Sequence, residues 1–132
     1  MTAALTAVEA YIDAFNAGDV DAMAALFAEN GSILDGMPPH SWIGPTAARD
    51  WFRDVMAESA HVGAADYHVT FGEPVHDAVS GDSAYVVVPA TMSFELNGES
   101  RIQTGSLFTV ALTRGDDGWR IATWAWTKGR AT

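Results

Sequence analysis

Tyr11 and Asp35 are the two residues of this sequence whose types and placement suit proton transfer. A tyrosine hydroxyl in an apolar environment can donate a hydrogen bond to a developing oxyanion, and a nearby carboxylate can carry a proton. Such a pair could move a proton on the carbon beside a carbonyl group. The two residues are far apart in the sequence, so they meet only if the segment between them folds back.

Two helices and a short strand are predicted to place this pair around a common space. Apolar residues recur at helical spacing over 5–15, and Tyr11 lies on that stripe, which predicts that it faces inward. Asp19 is a good N-cap for a second helix, which we expect to end at Asn30-Gly31. A short strand then leads to Asp35.

The next segment, 37–42, contains consecutive prolines and therefore predicts a loop over the mouth of a cavity. His40 and Trp42 in this loop are candidate ligand contacts, although a solvated loop histidine is the simpler interpretation of His40. Proline after Gly44 predicts the start of a third helix, because the first helical position does not use the missing N–H.

From Tyr67 onward the hydrophobic period changes to two, and turn signals divide the remaining chain. The predicted strands of this antiparallel meander span 66–76, 83–96, 100–113 and 119–128. Strands of this length predict strong curvature, with Pro89 at a bulge or an edge position. A curved sheet packed over helices would enclose a hollow.

The composition excludes several classes of partner. The formal net charge is −10, which disfavours nucleic acid and anionic membranes. No apolar run approaches the length of a membrane span, and the absence of cysteine agrees with a reducing cytoplasm. The four histidines lack the spacing of a helical metal site, so we expect no metal. Without a glycine-rich phosphate loop or a dinucleotide fingerprint, we expect no cofactor.

The motif NAGDVDAMAALFAEN at 16–30, followed by a third helix and a long meander, resembles the nuclear transport factor two, SnoaL-like and ketosteroid isomerase superfamily. The resemblance covers nearly the whole chain and is closest in motif to bacterial ketosteroid isomerase. It implies one domain over 1–132 with an α+β fold. In that fold, three N-terminal helices pack on a strongly curved, mainly antiparallel sheet, forming a cone-shaped barrel that encloses a pocket.

This resemblance also implies roles for individual residues. Tyr11 matches the tyrosine that donates to the oxyanion, and Asp35 matches the aspartate that shuttles the proton. Each residue keeps an ordinary alternative, since Tyr11 could be a core tyrosine and Asp35 could simply form the turn that ends a strand. The expected substrate-binding wall comprises Phe15, Phe52, Met56, Met92 and Phe94.

The chain departs from the isomerase at the second oxyanion donor. In the isomerase that donor is a protonated aspartate on the next-to-last strand, whereas the matching stretch 104–108 contains no carboxylate. Ser106 could donate a weaker hydrogen bond there. Losing one such donor typically lowers the rate by roughly a hundredfold or more.

Trp124 and Trp126 share one face of the last long strand, and small residues share the other. The resemblance places the small residues toward the cavity, so both indoles are expected on the outer face of the sheet. Because two exposed indoles would form a large apolar patch, we expect a homodimer that buries them through this face.

Three functions remain open from the sequence. The leading hypothesis is a cofactor-independent, ketosteroid-isomerase-like enzyme that transfers a proton alpha to a carbonyl of an apolar small molecule. The second is a SnoaL-like polyketide cyclase, although the acid expected on its final strand is missing from 122–126. The third is a non-catalytic module for ligand binding or dimerisation, which the missing second donor would favour.

Overall fold

A computed structural model describes residues 2–131, and over that range the chain forms three helices and eight strands. The helices are α1 (Ala3–Ala17), α2 (Val20–Ala25) and α3 (Ala47–Val62). The strands are β1 (Phe27–Leu34), β2 (Ser41–Ile43), β3 (Ala64–Phe71), β4 (His76–Ser80), β5 (Ser83–Leu96), β6 (Glu99–Gly115), β7 (Gly118–Thr127) and β8 (Arg130–Ala131).

The sheet is mixed, curved and open. Its strands follow the order β2-β1-β7-β6-β5-β3, while β4 pairs with β5 and β8 pairs with β6. Strands β1 and β7 are parallel, and the other pairs are antiparallel. The three helices pack on this sheet, which confirms the predicted α+β class.

Helix α1 forms as its sequence predicts. The Thr2 side chain caps it by accepting a hydrogen bond from the Leu5 amide at 3.1 Å. Gly18 ends it in the left-handed region, with φ of 71°, where glycine carries no steric penalty. The apolar stripe is buried, and Tyr11 on that stripe is 1% exposed. The prediction that Tyr11 faces inward is confirmed.

The predicted end of α2 is wrong. The helix ends at Ala25, and β1 begins at Phe27, so Asn30-Gly31 lie inside a strand. The amide of Ile121 donates to the Leu26 carbonyl at 2.7 Å, and β1 then pairs with β7. This tertiary pairing outweighs a local turn signal that would otherwise end the helix at the asparagine.

Two other boundaries also differ from the prediction. The predicted loop 37–42 includes the start of β2, where Trp42 pairs with Ile33 of β1. The predicted strand 66–76 is divided into β3 and β4, which pair with different parts of β5. Pro89 lies where the partner of β5 changes, between Val87 beside β4 and Ala90 beside β3, so its missing N–H leaves no pair incomplete.

A β-bulge changes the direction of the side chains along β7. Ala111 of β6 pairs with Thr123, but the next residue, Leu112, pairs with Ile121. Ala122 is therefore an extra residue in β7 with no partner in this register. Because side chains alternate along a strand, one extra residue moves every later side chain to the opposite face.

The bulge turns Trp124 and Trp126 toward the interior. Trp124 is 2% exposed, and its ring lies 5.1 Å from that of Phe108. Trp126 is half-buried, and its ring lies 6.2 Å from the same phenylalanine. The prediction that both indoles lie on the outer face is wrong, because it took the inward side of β7 from the family resemblance, and in this chain the bulge brings the indoles to the inner face. The indoles therefore cannot anchor a dimer through that face.

Candidate active site

One cavity, of about 70 Å³, brings the two predicted catalytic residues into a shared wall. It lies between helices α1 and α3 and the inner face of the sheet. Its lining residues are Tyr11, Ile12, Phe15, Asp35, Trp51, Val69, Met92, Phe108, Trp124 and Trp126. Apart from the tyrosine hydroxyl, the carboxylate and the indole N–H groups, these side chains are apolar.

Tyr11 presents a hydroxyl whose oxygen is already occupied as an acceptor. The indole nitrogen Nε1 of Trp124 donates to the Tyr11 oxygen at 3.0 Å, and both residues are buried. An indole N–H can only donate, so the tyrosine proton must point elsewhere. Among the described residues no acceptor takes that proton, which leaves it available to a molecule in the cavity.

The environment keeps the Tyr11 hydroxyl protonated. Burial raises the pKa of Tyr11 well above its ordinary value, since the charged phenolate would lose its hydration. The hydrogen bond from Trp124 lowers this pKa by less, and the negative charge of Asp35 raises it further. Tyr11 is thus a neutral hydrogen-bond donor at physiological pH, and Asp35 is close enough to act on it electrostatically.

Asp35 follows the last residue of β1 and is half-buried. The indole nitrogen Nε1 of Trp51 donates to Asp35 Oδ2 at 2.8 Å, and the amide of Gly36 donates to Oδ1 at 2.8 Å. Each carboxylate oxygen therefore has one fixed donor and keeps a free lone pair. These contacts set the orientation of the carboxylate while leaving it able to accept a proton.

An aromatic wall links the two polar ends of the cavity. The rings of Trp51 and Trp124 meet edge to face, with centroids 5.0 Å apart and an interplanar angle of 87°. Phe15 packs on Trp51 with centroids 5.6 Å apart. Contacts of this geometry stabilise aromatic pairs beyond the burial of their surface. Trp51, which donates to Asp35, and Trp124, which donates to Tyr11, thus restrict each other's orientation.

The predicted substrate-binding residues divide into several locations. Phe15 and Met92 line the cavity together with the two candidate catalytic residues. Phe52 and Met56 instead line a wider groove beside the cavity, and Phe15 is part of both walls. These four side chains surround one region, but only two of them reach the space between the polar ends.

Three further candidates lie outside the cavity wall. His40 is exposed in the turn between β1 and β2. Trp42 is buried, and its indole nitrogen donates to Asp54 Oδ2 at 2.8 Å, which lowers the pKa of Asp54. Phe94 stacks on Tyr67, with ring centroids 5.7 Å apart.

Ser106 faces the interior, but its hydroxyl proton is already donated. A bulge at Gly105, where φ is 75°, brings Gln103 and Ser106 to the same face of β6. The serine Oγ donates to Gln103 Oε1 at 2.7 Å and accepts from the Gly129 amide at 3.0 Å. Trp126 Nε1 donates to the same Gln103 oxygen at 3.2 Å. Acting as a second oxyanion donor would require Ser106 to release Gln103.

Sequence reasoning missed the three tryptophans that build this site. Trp51 lies in α3, and nothing in the sequence of the predicted third helix indicated that its indole donates to a carboxylate. Trp124 and Trp126 were assigned to the wrong face of β7. The hydrogen bond of Trp124 to the inward Tyr11 could have been found only by recognising the bulge at Ala122.

Within residues 2–131, no group of three or more His, Asp or Glu side chains could hold a metal ion. Over the same range, no helix combines the length and the apolar character needed to cross a membrane.

Helices packed on the inner face of a curved, open sheet, with a cavity between them, define the class of this fold. The SnoaL-like domain family matches residues 4–125, and the chain belongs to that family. A search by sequence among curated proteins finds no match.

Several solved structures share the fold. Hexachlorocyclohexane dehydrochlorinase LinA-type3 from Novosphingobium barchaimii has a TM-score of 0.83 at 14% identity, over 98% of this chain and 87% of the other. A ketosteroid isomerase-like protein from Erwinia carotovora atroseptica gives 0.73 at 21% identity, over 95% and 92%. A protein from Novosphingobium aromaticivorans, described as a putative aromatic ring hydroxylase, gives 0.77 at 17% identity, over 97% and 88%.

Proposed function

We propose that this protein is a cofactor-independent enzyme that transfers a proton on the carbon beside a carbonyl group of an apolar small molecule. Asp35 takes the proton, and the C–H electron pair moves into the bond toward the carbonyl carbon. Tyr11 donates a hydrogen bond to the resulting enolate oxygen. Asp35 then returns the proton to the same carbon or to a conjugated one. The observation that carries this proposal is the shared cavity wall of Tyr11 and Asp35.

The electrostatics of the cavity support these roles. Tyr11 stays neutral, and the N–H that Trp124 aims at its oxygen polarises the hydroxyl toward donation. Hydrogen bonds to a developing oxyanion are stronger in a site that excludes water than in bulk solvent. Any second donor would be Ser106, after release of Gln103, or a water molecule.

Two of the similar structures support proton removal from carbon as the first step. One is described as ketosteroid isomerase-like, and another as a dehydrochlorinase. Isomerisation of a ketone and loss of hydrogen chloride both require a base near a C–H bond. We therefore propose an isomerase or lyase type of reaction, with Phe15 and Met92 contacting the substrate. Contacts from His40, Trp42 and Phe94 remain predictions.

A non-catalytic ligand-binding module is the second candidate function. The observation that favours it is the hydrogen bond of the Ser106 hydroxyl to Gln103, which leaves Tyr11, among the described residues, as the single candidate oxyanion donor with a free proton. A binding module would take up carbonyl compounds in this cavity without exchanging their protons. A SnoaL-like cyclase would need an acid that residues 122–126 do not supply.

Proton exchange in deuterium oxide separates the two candidates. Wild-type protein should catalyse α-deuteration of cyclohexanone, followed by NMR, and should convert 3-cyclohexenone to its conjugated isomer, followed by ultraviolet absorbance. The control is a Tyr11→Phe, Asp35→Asn double variant with an unchanged circular dichroism spectrum. Saturable binding of cyclohexanone without exchange above this control would refute the enzymatic proposal in favour of a binding module.

We also propose that the chain forms a homodimer through the outer face of the sheet and acts in the cytoplasm. Exposed Leu34, Ile43 and Leu107 lie on that face, opposite the buried side chains of their strands. Sedimentation of wild type and of a Leu34→Ser, Ile43→Ser variant tests the interface, with Val62→Ser on α3 as a surface control. A wild-type monomer, or a double variant that remains dimeric, would reject this interface.

A further inference from the structure

A wider groove adjoins the candidate active site. It has a volume of about 470 Å³ and runs between the end of α1, the middle of α3 and the start of β3. Its lining residues are Phe15, Asn16, Ala17, Gly18, Phe52, Met56, Ser59, Ala60, Ala64, Ala65, Asp66 and Tyr67. Phe15 belongs to this wall and to the wall of the cavity.

The ring of Phe15 is the partition between the two spaces. On the cavity side it packs against Trp51, with centroids 5.6 Å apart. On the groove side it meets Phe52 edge to face, with centroids 6.4 Å apart. Phe15 is only half-buried although it lies on the inward stripe of α1. A phenylalanine in a helix has two common χ1 rotamers, so this ring can swing without a change in the backbone.

Size indicates that the cavity holds only the reacting end of a substrate. Protein pockets for small molecules usually have volumes of roughly 300–1,000 Å³. The cavity, at about 70 Å³, falls far below that range, whereas the groove, at about 470 Å³, lies within it. A molecule larger than a few atoms that reaches Tyr11 and Asp35 must therefore extend past Phe15.

The chemistry of the groove suits an uncharged, apolar occupant. Its surface includes Met56, which is 42% exposed, and several alanines. The hydroxyl of Ser59 is hydrogen-bonded to the Val55 carbonyl at 2.6 Å and to the Tyr67 hydroxyl at 3.0 Å. The Asn16 amide is bonded to the Val69 backbone, so these polar groups of the groove already have partners within the protein.

The rim of the groove disfavours anions. Asp66 lies in the rim, and it interacts with Glu95 across β3 and β5. A hydrogen bond with Asp66 and repulsion between the two carboxylates raise the pKa of Glu95. A ligand with a carboxylate in the groove would add a further negative charge close to this pair.

We propose that the groove and the cavity are two compartments of one substrate site, a proposal that rests on the function proposed above. The substrate class is an uncharged ketone with an elongated alkyl or ring portion. Its carbonyl occupies the cavity beside Tyr11 and Asp35, and its apolar portion lies in the groove against Phe52 and Met56. The ring of Phe15 moves aside when that portion enters.

A series of methyl ketones from 2-butanone to 2-decanone tests the two-compartment site, with binding followed by tryptophan fluorescence and calorimetry. Once the chain passes Phe15, each added methylene should tighten binding by about fourfold, the value expected for its burial. Ala60→Phe fills the exposed groove and should abolish this dependence on length, while Ala60→Ser, the matched control, should retain it. Tyr11→Phe should weaken binding of every ketone by a similar factor.

The outcomes distinguish failure of the two-compartment site from failure of the proposed function. If short ketones bind through Tyr11 but longer ones gain nothing, the groove is not a compartment and the proposed function stands. If the affinity of the Ala60→Phe variant still increases with ketone length, the groove does not hold the apolar portion of the substrate. If Tyr11→Phe leaves all affinities unchanged, the carbonyl does not bind beside Tyr11, and both proposals fail. Decanoate binding as tightly as 2-decanone would overturn the assignment of an uncharged substrate.

Discussion

The two polar ends of the cavity are built in similar ways but in different environments. At one end, Trp124 donates to the Tyr11 oxygen, and both side chains are buried. At the other end, Trp51 donates to Asp35, which is half-buried and also accepts from its neighbour Gly36. The tyrosine therefore has one fixed donor in a dry environment, whereas the aspartate has two donors near solvent.

This difference matches the different work of a hydrogen-bond donor and a base. A donor to an oxyanion must keep its proton, and burial makes ionisation of Tyr11 unfavourable. A base must offer a free lone pair in a fixed direction, and the N–H groups aimed at the two Asp35 oxygens orient the carboxylate while each oxygen keeps a free lone pair. The same type of anchor, an indole N–H, can thus support opposite roles because the surroundings differ.

Replacing the base should have the largest effect. Asp35→Asn keeps an oxygen for the Trp51 N–H but cannot accept the substrate proton. Isomerisation of 3-cyclohexenone should slow by roughly 100- to 10,000-fold, the usual contribution of a positioned base. The initial rate of enone formation measures this loss, and denaturation by urea checks that the fold is kept. Activity within about threefold of wild type would remove Asp35 from the reaction.

Replacing the donor should have the next largest effect. Tyr11→Phe keeps the ring contacts of the site and removes the hydroxyl that stabilises the oxyanion. Loss of one such donor slows catalysis by roughly 100- to 1,000-fold. Both α-deuteration and isomerisation should slow, since each passes through the enolate. If isomerisation alone slows, Tyr11 acts on proton return rather than on enolate formation, contrary to the proposed role.

The helical period of the sequence was sufficient to predict that Tyr11 of α1 faces inward, and the family resemblance was sufficient to predict that Met92 of β5 lines the cavity. In α1 the helical period is uninterrupted, and Tyr11 is buried as expected. In β5 the buried residues Val86, Val88 and Ala90 lie on the same face as Met92, which lines the cavity. The bulge in the pairing of β5 with β6 places its extra residue in β6, not in β5. Alternation along β5 therefore continues as the sequence indicates.

The inward direction of Trp124 could not be predicted by the same reasoning. Both faces of β7 contain apolar residues, so their pattern does not show where the extra residue, Ala122, interrupts the alternation. The bulge is defined by pairing with β6, which is a tertiary property. The bond between Trp51 and Asp35 likewise depends on how α3 packs against β1. The hydrogen bonds that orient Tyr11 and Asp35 could therefore not be predicted from local sequence patterns.

Removing the anchor at the buried end should have a moderate effect. Trp124→Phe leaves the Tyr11 hydroxyl without its only fixed partner within the described part of the chain. Loss of one hydrogen bond of this kind should slow isomerisation by about tenfold through poorer orientation of the donor. Trp126→Phe is the matched control, because it also shortens an indole in the cavity wall but does not contact Tyr11. Equal losses in both variants would indicate a packing effect rather than positioning.

Burial of the Tyr11 hydroxyl should also make the free energy of unfolding depend on pH in the alkaline range. In the unfolded chain Tyr11 ionises near pH 10, while burial keeps it protonated in the folded protein. The folded state therefore binds more protons above pH 10, and the free energy of unfolding should fall there by up to about 1.4 kcal/mol per pH unit. Urea denaturation at pH 9, 10 and 11 measures the slope. Tyr11→Phe should have a shallower slope, and identical slopes would contradict the dry environment of this hydroxyl.

Replacing Trp51, the indole donor at the Asp35 end of the cavity, should have the smallest effect on the isomerisation rate. This variant gives the sharpest test of the difference between the two ends. Trp51→Phe frees Asp35 Oδ2, but the Gly36 amide still holds Oδ1. Because one of two donors remains, isomerisation should slow by only about threefold, the lower end expected for a single hydrogen bond. The rate ratio of Trp51→Phe to Trp124→Phe at one pH measures the difference, with both variants shown to be folded by near-ultraviolet circular dichroism. A larger loss in Trp51→Phe than in Trp124→Phe would mean that orientation of the base, rather than of the donor, limits the reaction.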